Sequence, residues 1–546
     1  MKGVWWCIAG LALAASAAGQ SGGELRFGLR ADPKTLDPLL GAEEASETVA
    51  YLTSGVLIRL NRRTQELEPE LATSWKISRD GRRIDFKLRR GVRFSDGAPL
   101  TPADVVATIQ RLSTADVHSA IADTFRSGAG AISAVQTGED SVSFTFSNAV
   151  SGLEGLFDQL AITRKGTPPG TVVLGPFVVS ESRSGQYVLL RRNPNYWKTD
   201  EAGRRLPYLD SVRLAIQSER DIELLRFRRG EFQLVDKLDP DLFEQLRKDR
   251  AGLAVSAGPG LDPEFLWFNQ SPAARIPAHK RAWFSSVRFR QAISKAVNRD
   301  DLVRLVYLGR ARAARGPISE ANIRWFNSRL PVPVHDPSAA RALLKQDGFT
   351  LSGGALRDRA GNPVEFSLIT NAGSKTRSQI GAIVQEDLAR IGIRLNLVPL
   401  EFQSLVERIT RTQEYEACLL GLSNTELDPR TQINVFSSSG THHAWNPGQP
   451  QPSTAWEKEM DALLSGPMTS GSATERKRAY DRVQEIMVEQ APIVYLVYPE
   501  VLGAIGPELR GAHPVPLTPH LFWNIDRLSL QPSANGRGGR AAGAVR

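Results

Sequence analysis

Two periodicities alternate along the chain. Ile84, Phe86 and Leu88 alternate with Asp85, Lys87 and Arg89. A period of two predicts a strand with one buried face. The same period recurs at Leu25, Phe27 and Leu29 and at Val142, Phe144 and Phe146, and strands are also expected over 188–191 and 212–216. Asp80-Gly81 tolerates positive φ and predicts a hairpin turn ahead of the 84–88 strand. Helical spacing takes over elsewhere. Thr101 suits an N-cap, Pro102 the first helical position and Asp104 the far corner of a capping box, and Val105, Ile109 and Leu112 then share one face.

Residues 363–398 form the clearest supersecondary unit. Val364, Phe366 and Leu368 predict a strand; Ile380, Ile383, Val384, Leu388 and Ile391 recur at helical spacing; Ile393, Leu395 and Leu397 predict a second strand. Gly392 suits the left-handed residue past a helix end. This is a βαβ unit, whose crossover is right-handed. Helical patches at 219–229 and 239–248 and a helix over about 473–490 that feeds a strand over 493–498 extend the alternation. Strands alternating with helices predict α/β lobes.

Composition changes the picture in two places. A chain of 546 residues is too long for one core, so two or three domains are expected. The net charge is +9, but the arginines are interleaved with Asp and Glu and no Lys/Arg block carries aromatics. That pattern is a solvated surface and argues against nucleic acid. Residues 1–18 predict a signal peptide: Lys2 begins it, Val4 to Ala15 is apolar but too short to span a bilayer, and Ser16-Ala17-Ala18 or Ala15-Ser16-Ala17 offers a cleavage site. Cys7 lies inside the apolar stretch rather than just after it, so a lipid anchor is not expected. The mature chain then has one cysteine, Cys418, which cannot form an internal disulfide and reads as a small buried hydrophobe. Residues 531–546 are rich in Gly, Ala and Arg and predict a disordered tail.

Motifs of catalysis are missing. The sequence has no Gly-x-Ser-x-Gly elbow, no His-Glu-x-x-His, no phosphate loop and no dinucleotide glycine fingerprint. Seven histidines are scattered, and His442-His443 is the one adjacent pair. Adjacent histidines on a strand point to opposite faces, so neither a metal nor a cofactor is expected. A polar and aromatic loop between lobes can still carry binding, which makes His442, His443 and Trp445 candidates. Asp300 and Asp301 open a helix and favour its positive end.

Several strings occur in a recognisable order. They are Leu36-Asp37-Pro38; the stretch from Leu67 through Trp75, Asp80-Gly81, Asp96-Gly97 and Thr101-Pro102-Ala103-Asp104; Leu174-Gly175-Pro176-Phe177 with Asn193-Pro194-Asn195-Tyr196-Trp197; Phe268-Asn269 with Val287 to Val303; and Tyr480 with Pro492 to Leu496. Together they cover roughly residues 22–530 and resemble the family 5 extracellular solute-binding proteins, receptors of ABC importers for peptides, nickel chelates and similar solutes. The resemblance implies a two-lobed α/β periplasmic binding protein (type II, large cluster C-like) with discontinuous lobes and a hinge. It assigns 24–52, 171–268 and 492–530 to lobe I, 53–170 to an extra subdomain and 269–491 to lobe II, with crossings near 268–275 and 490–500. It implies no chemistry beyond binding, an exported periplasmic monomer, and two partners: a peptide or other small organic solute, and the permease subunits of the importer.

The resemblance also nominates a site. Leu420 to Pro429 is similar to the family's cleft loop, in which an Asp three residues before Asp-Pro pairs with a peptide α-ammonium. That position is Thr425 here, the family's Trp is Leu422, and Glu426 stands one residue on. Free short peptides are therefore expected to bind poorly. The candidate ligand-binding residues are Trp267, Asn269, Asn424, Thr425, Glu426, Asp428, His442, His443 and Trp445. A nickel-chelate or metallophore receptor, supported by His442 and His443, and a secreted hydrolase are the alternatives.

Overall fold

The computed structural model describes residues 22–41, 43–114, 117, 119, 121, 122, 125, 130–150, 152–423 and 427–531. The leader 1–18, the tail beyond Gln531, and Asn424, Thr425 and Glu426 lie outside the described residues.

The first sheet has four strands in the order Glu24–Leu29, Ser211–Ile216, Tyr187–Arg192 and Phe177–Arg183. Only the first pair is parallel, with Leu25 beside Val212 and Phe27 beside Leu214. Leu25, Phe27 and Leu29 are buried as their alternation requires, against Val49 and Leu52 of the helix Glu44–Thr53 and against Phe522 and Ile525. Residues 24–29 and 521–528 thus share one core.

A second four-stranded sheet is antiparallel throughout, in the order Ala72–Ile77, Arg83–Leu88, Ser141–Phe146 and Ile132–Gly138. Gly81 takes φ +67° in the predicted hairpin. The helix Pro102–Leu112 begins as expected, with Asp104 accepting from the Thr101 N–H at 2.9 Å. Phe86, Phe144 and Phe157 pack edge-on in its core, at centroid separations of 4.8–5.6 Å.

The third sheet has eight strands and is mixed. Glu365–Asn371, the helix Lys375–Ala389 and Arg394–Leu400 form the predicted parallel βαβ unit, and Gly392 takes φ +84° past the helix. A Cβ at Gly392 would sit 2.5 Å from Leu351, so glycine is needed there for space as well as conformation. Strand alternation sends Leu266, Phe268 and Leu368 to a core on one face and Phe265, Trp267, Ile369 and Cys418 to a core on the other.

The strand Ile493–Ile505 joins the two halves of the molecule. Its first part pairs with Glu264–Phe268 and Ala311–Ala313, its second part with Ala254–Pro259 and Leu234–Val235. Crossing therefore happens within two adjacent strand runs, at 260–263 and 499–501, where the Gly260 N–H donates to the Pro499 carbonyl at 2.8 Å. The first crossing lies a few residues ahead of the expected 268–275, and the second falls at the end of the expected 490–500. Residues 264–268 and 493–498 belong with the large sheet, because an apolar strand buried on both faces continues its pairing until a Gly or Pro interrupts it.

Candidate ligand cleft

A cleft of about 1180 Å³ lies where the first core, the antiparallel subdomain and the second half meet. Phe27, Tyr51 and Phe522 supply its apolar wall; Arg59, Gln65 and Glu154 line it from the subdomain; Trp325, Asp428 and Arg476 line it from the second half. A volume of this size exceeds that of most drug-sized ligand pockets, roughly 300–1,000 Å³.

Its subdomain wall is built on the short strand Ile58–Leu60 and the 3₁₀ turn Leu153–Asp158. The Leu60 N–H donates to Asp158 Oδ1 at 2.6 Å and ties one to the other. Arg62 reaches Asp158 at 3.5 Å and donates to the Leu60 and Thr518 carbonyls at 2.7 and 3.1 Å. Arg59 and Arg62 lie over the Tyr51 ring at 5.0 and 5.1 Å, a cation–π arrangement held by the Tyr51 hydroxyl donating to the Trp523 carbonyl at 2.6 Å. Burial works against the Arg59 charge, yet Tyr51, Glu70 and Asp158 outweigh it and hold its pKa above the ordinary guanidinium value.

The opposite wall is organised by an ion pair. Arg476, almost fully buried, donates from Nη2 to both Asp428 oxygens at 2.7 and 2.9 Å and from Nε to the Met468 carbonyl at 3.1 Å, while its guanidinium lies 4.9 Å from the Trp325 ring. Asp428 also accepts from the Arg430 N–H at 3.1 Å, capping its own turn. Of the described residues nominated from sequence, Asp428 is the one that lines the cleft, and it holds a buried cation of the protein.

The two walls touch. Gly152, at φ +71°, packs so closely that a Cβ would lie 2.8 Å from Asp428 Oδ2 and 3.0 Å from Arg476 Nη1. Arg430 Nη1 donates to the Gly152 carbonyl at 3.0 Å. Gln65, a buried residue at φ +61°, donates from Nε2 to the Ala321 carbonyl at 2.6 Å and accepts the Ile323 N–H at 3.0 Å. Asn322 donates to the Leu427 carbonyl at 2.9 Å, linking that loop to the one carrying Asp428.

The other described candidates are brought together, but elsewhere. Trp267 donates to the Tyr415 hydroxyl at 3.1 Å; that hydroxyl donates to the Ala444 carbonyl at 2.9 Å, and the Gln270 N–H donates to the Trp445 carbonyl at 2.7 Å. Asn269 is fully buried and donates to the Gln413 and Tyr415 carbonyls, both at 3.0 Å. Trp445, 1% exposed, donates to Glu457 at 3.2 Å, and the His443 ring packs against it, tilted, at 4.0 Å between centroids with Nε2 3.9 Å from the same carboxylate. His442 is exposed beside Thr441. Trp267, Asn269, His443 and Trp445 are thus core residues, a correction to their nomination for the cleft. Trp267 and Trp445 share a core with Trp325, where the helices Ala455–Ser465 and Ala473–Gln490 cover the face that Trp267 points to.

Tyr51, Arg59, Gln65, Glu154, Trp325 and Arg476 were not nominated. One sequence signal pointed to Arg59: it is the lone charge in Val56-Leu57-Ile58-Arg59-Leu60, where a cation needs a special reason to sit. Among the described residues no group of three or more His, Cys, Asp or Glu could hold a metal ion, and no helix is long and apolar enough to cross a membrane.

Comparison with known proteins defines the class. The chain belongs to the bacterial extracellular solute-binding proteins, family 5, whose middle-region model matches residues 66–443. It is 27% identical over 444 residues to a probable ABC transporter-binding protein of Deinococcus radiodurans, covering 74% of each chain. It is 25% identical to the oligopeptide-binding protein AppA of Bacillus subtilis, covering 90% of this chain and 89% of that one. Among solved structures, NikA of Brucella suis in complex with Fe(III)-EDTA superposes with a TM-score of 0.78 at 21% identity, over 93% of this chain and 100% of that one. The fold is that of a two-lobed family 5 periplasmic binding protein with mixed α/β content. The family is one of substrate-binding receptors, and its members are periplasmic solute-binding proteins.

Proposed function

We propose that this chain is the extracytoplasmic receptor of an ABC importer, holding a peptide or similar small organic solute between its lobes and delivering it to membrane permease subunits. The observation that carries this reading is the cleft itself, walled by both halves of the chain and bridged at Gly152 and Gln65. In this reading the runs 260–263 and 499–501 are the hinge, because pairing passes there from the strands of one core to those of the other. The subdomain of about 53–170 moves with the first lobe, and the second lobe runs from 264 to the start of the 499–501 crossing. Ligand adds contacts that exist only when the lobes meet, so it shifts the population toward the closed form, which the permease reads.

Relatives named for oligopeptide, dipeptide and glutathione binding support a peptide-like solute. The metallophore alternative loses its sequence support, since His443 is buried in another core and His442 is not on the cleft. A non-catalytic role fits Cys418, whose thiol is pushed well up by burial and is inert. Export with cleavage of residues 1–18 and without a lipid, and a monomeric state with no nucleic-acid partner, complete the proposal.

Mass spectrometry of solute released by denaturing the purified periplasmic protein tests it. One small organic solute near stoichiometric amount is expected, with small-angle scattering showing a more compact protein when that solute is restored. Turnover of esterase or peptidase substrates, or a protein that carries no solute and never changes shape, would overturn it.

A further inference from the structure

Charged side chains bridge the two halves of the molecule at the hinge, away from the cleft. Arg310 stands just ahead of the strand Ala311–Ala313, which pairs with the first part of Ile493–Ile505 and so belongs to the large sheet. Its guanidinium crosses to the first lobe. Nε donates to Glu244 Oε1 at 2.9 Å, and the group lies 4.9 Å from the Phe243 ring. Both partners are on the helix Pro240–Asp249, where Phe243 packs in a core with Leu502 and Ala504. Neither Arg310 nor Glu244 lines the cleft.

Glu500, in the crossing itself, ties the same groups together. Its N–H donates to the Arg310 carbonyl at 2.9 Å, and its carboxylate accepts from Ser256 Oγ of the first lobe at 3.0 Å. That carboxylate lies 3.8 Å from Arg310 and 3.9 Å from Arg312. Arg312 also faces Glu320 at 3.8 Å, and Glu244 accepts from Arg247 of its own helix at 2.8 and 2.7 Å. Hydrogen bonds weaken steeply outside a narrow range of distance and angle. Rotating the large sheet against the helix Pro240–Asp249 therefore strains the Arg310–Glu244 bond directly.

We propose that Arg310, Glu244 and Glu500 form a clasp that sets the balance between the open and closed forms, so that Arg310 tunes affinity from outside the cleft. This rests on the receptor reading above and on the hinge at 260–263 and 499–501. The clasp is made in a structure whose cleft walls are in contact at Gly152, so it adds to the closed form. A receptor that is closed for only part of the time binds more weakly by that fraction. Loss of the clasp thus weakens binding with every cleft residue unaltered.

The rate at which a short bismaleimide joins Thr64→Cys to Ile323→Cys in solute-free protein tests it, because it reports visits to the closed form. Both positions are exposed, beside the Gln65 bridge, and Cys418 is buried and does not compete. In that background Arg310→Met should slow the reaction about two- to tenfold, the span between an exposed ion pair and a charged hydrogen bond. Arg310→Lys should recover part of the rate, and Glu244→Gln should slow it by a smaller factor, since an amide oxygen still accepts. Raising salt from about 0.05 to about 1 M should slow the parent more than Arg310→Met, because screening acts on the clasp. Arg304→Gln, whose partner Asp301 is in the same lobe, should change nothing. Solute released from the wild-type protein should speed the reaction in every variant and bind Arg310→Met more weakly by a similar factor. Equal solute-free rates in Arg310→Met and its parent, or equal salt responses, would overturn the clasp; solute that still speeds the reaction would then leave the receptor reading standing. Released solute that fails to speed it would count against the receptor reading, while the solute-free rates would still decide the clasp.

Discussion

The aromatic cluster around Trp445 and the wall around Gly152 invite comparison, because each gathers polar and ring side chains from distant parts of the chain. In the Trp445 cluster, Trp267, Tyr415, Asn269 and Trp445 all direct their polar atoms at protein partners. In the cleft, Glu154 Oε2 meets none, and among the described residues the Arg59 guanidinium makes no hydrogen bond; His443 Nε2 beside Trp445 is also without a hydrogen-bond partner, but it does not line the cleft. Buried polar groups in a core are satisfied as a rule, so exceptions that open on a cavity mark where a ligand belongs. Aromatic content alone does not separate the two regions: Trp325 and Tyr51 are on the cleft, while Trp445 and Trp267 are not.

The largest effect expected from this contrast is on the core side. Trp445→Ala should destabilise the protein by about 3–5 kcal/mol, the range for truncating a buried Trp, and leave affinity within about twofold. Urea unfolding and calorimetry on the same preparation check both halves; a stable variant with weakened ligand would reverse the assignment of the two regions.

Arg476→Met should come next. It leaves Asp428 without its charged partner and should cost about 1.5–3 kcal/mol of stability, the worth of hydrogen bonds to a charged group. The urea midpoint of the double variant Arg476→Met/Asp428→Asn should recover part of that loss. If it does not, the pair is not coupled and the wall is held by something else.

Gly152→Ala and Gln65→Ala act on closure. The Cβ at 152 would press on Asp428 and Arg476 across the interface, while loss of the Gln65 amide removes two bonds between the halves, each worth about 0.5–1.5 kcal/mol. Both variants should bind solute roughly three- to thirtyfold more weakly. Small-angle scattering should show a larger radius of gyration with solute present, and unfolding midpoints should move little for Gln65→Ala. Unchanged scattering would mean that these contacts do not govern closure.

The smallest effect is on pH dependence. Burial opposes the Glu457 charge, but His443 at 3.9 Å and hydrogen bonds from Ser453 and Trp445 hold its pKa well below the ordinary glutamate value. A carboxyl depressed in the folded state stabilises it above the unfolded pKa and loses that contribution as pH falls through the folded value. The urea midpoint should therefore decline as pH is lowered beneath the usual glutamate range, with a shallower decline in Glu457→Gln. Parallel declines would assign the acid sensitivity to other groups.

What the sequence determined by itself was local. The strand of Ile84, Phe86 and Leu88, the Thr101–Asp104 cap, the turn at Gly81 and the βαβ unit ending at Gly392 all depend on residues a few positions apart, and side-chain period, capping chemistry and glycine's tolerance of positive φ act over that range. The ordered strings also carried the family, and hence the two lobes. Tertiary structure decided which residues face the solute. Gln65 meets the Ala321 carbonyl 256 positions away, and the room left by a missing Cβ at Gly152 accommodates an ion pair between Asp428 and Arg476. Trp445 looked like a ligand contact because its loop is polar, yet the helices Ala455–Ser465 and Ala473–Gln490 that follow it pack over it and bury it. Whether a polar atom is satisfied depends on every element packed around it, and no local pattern in the chain encodes that sum.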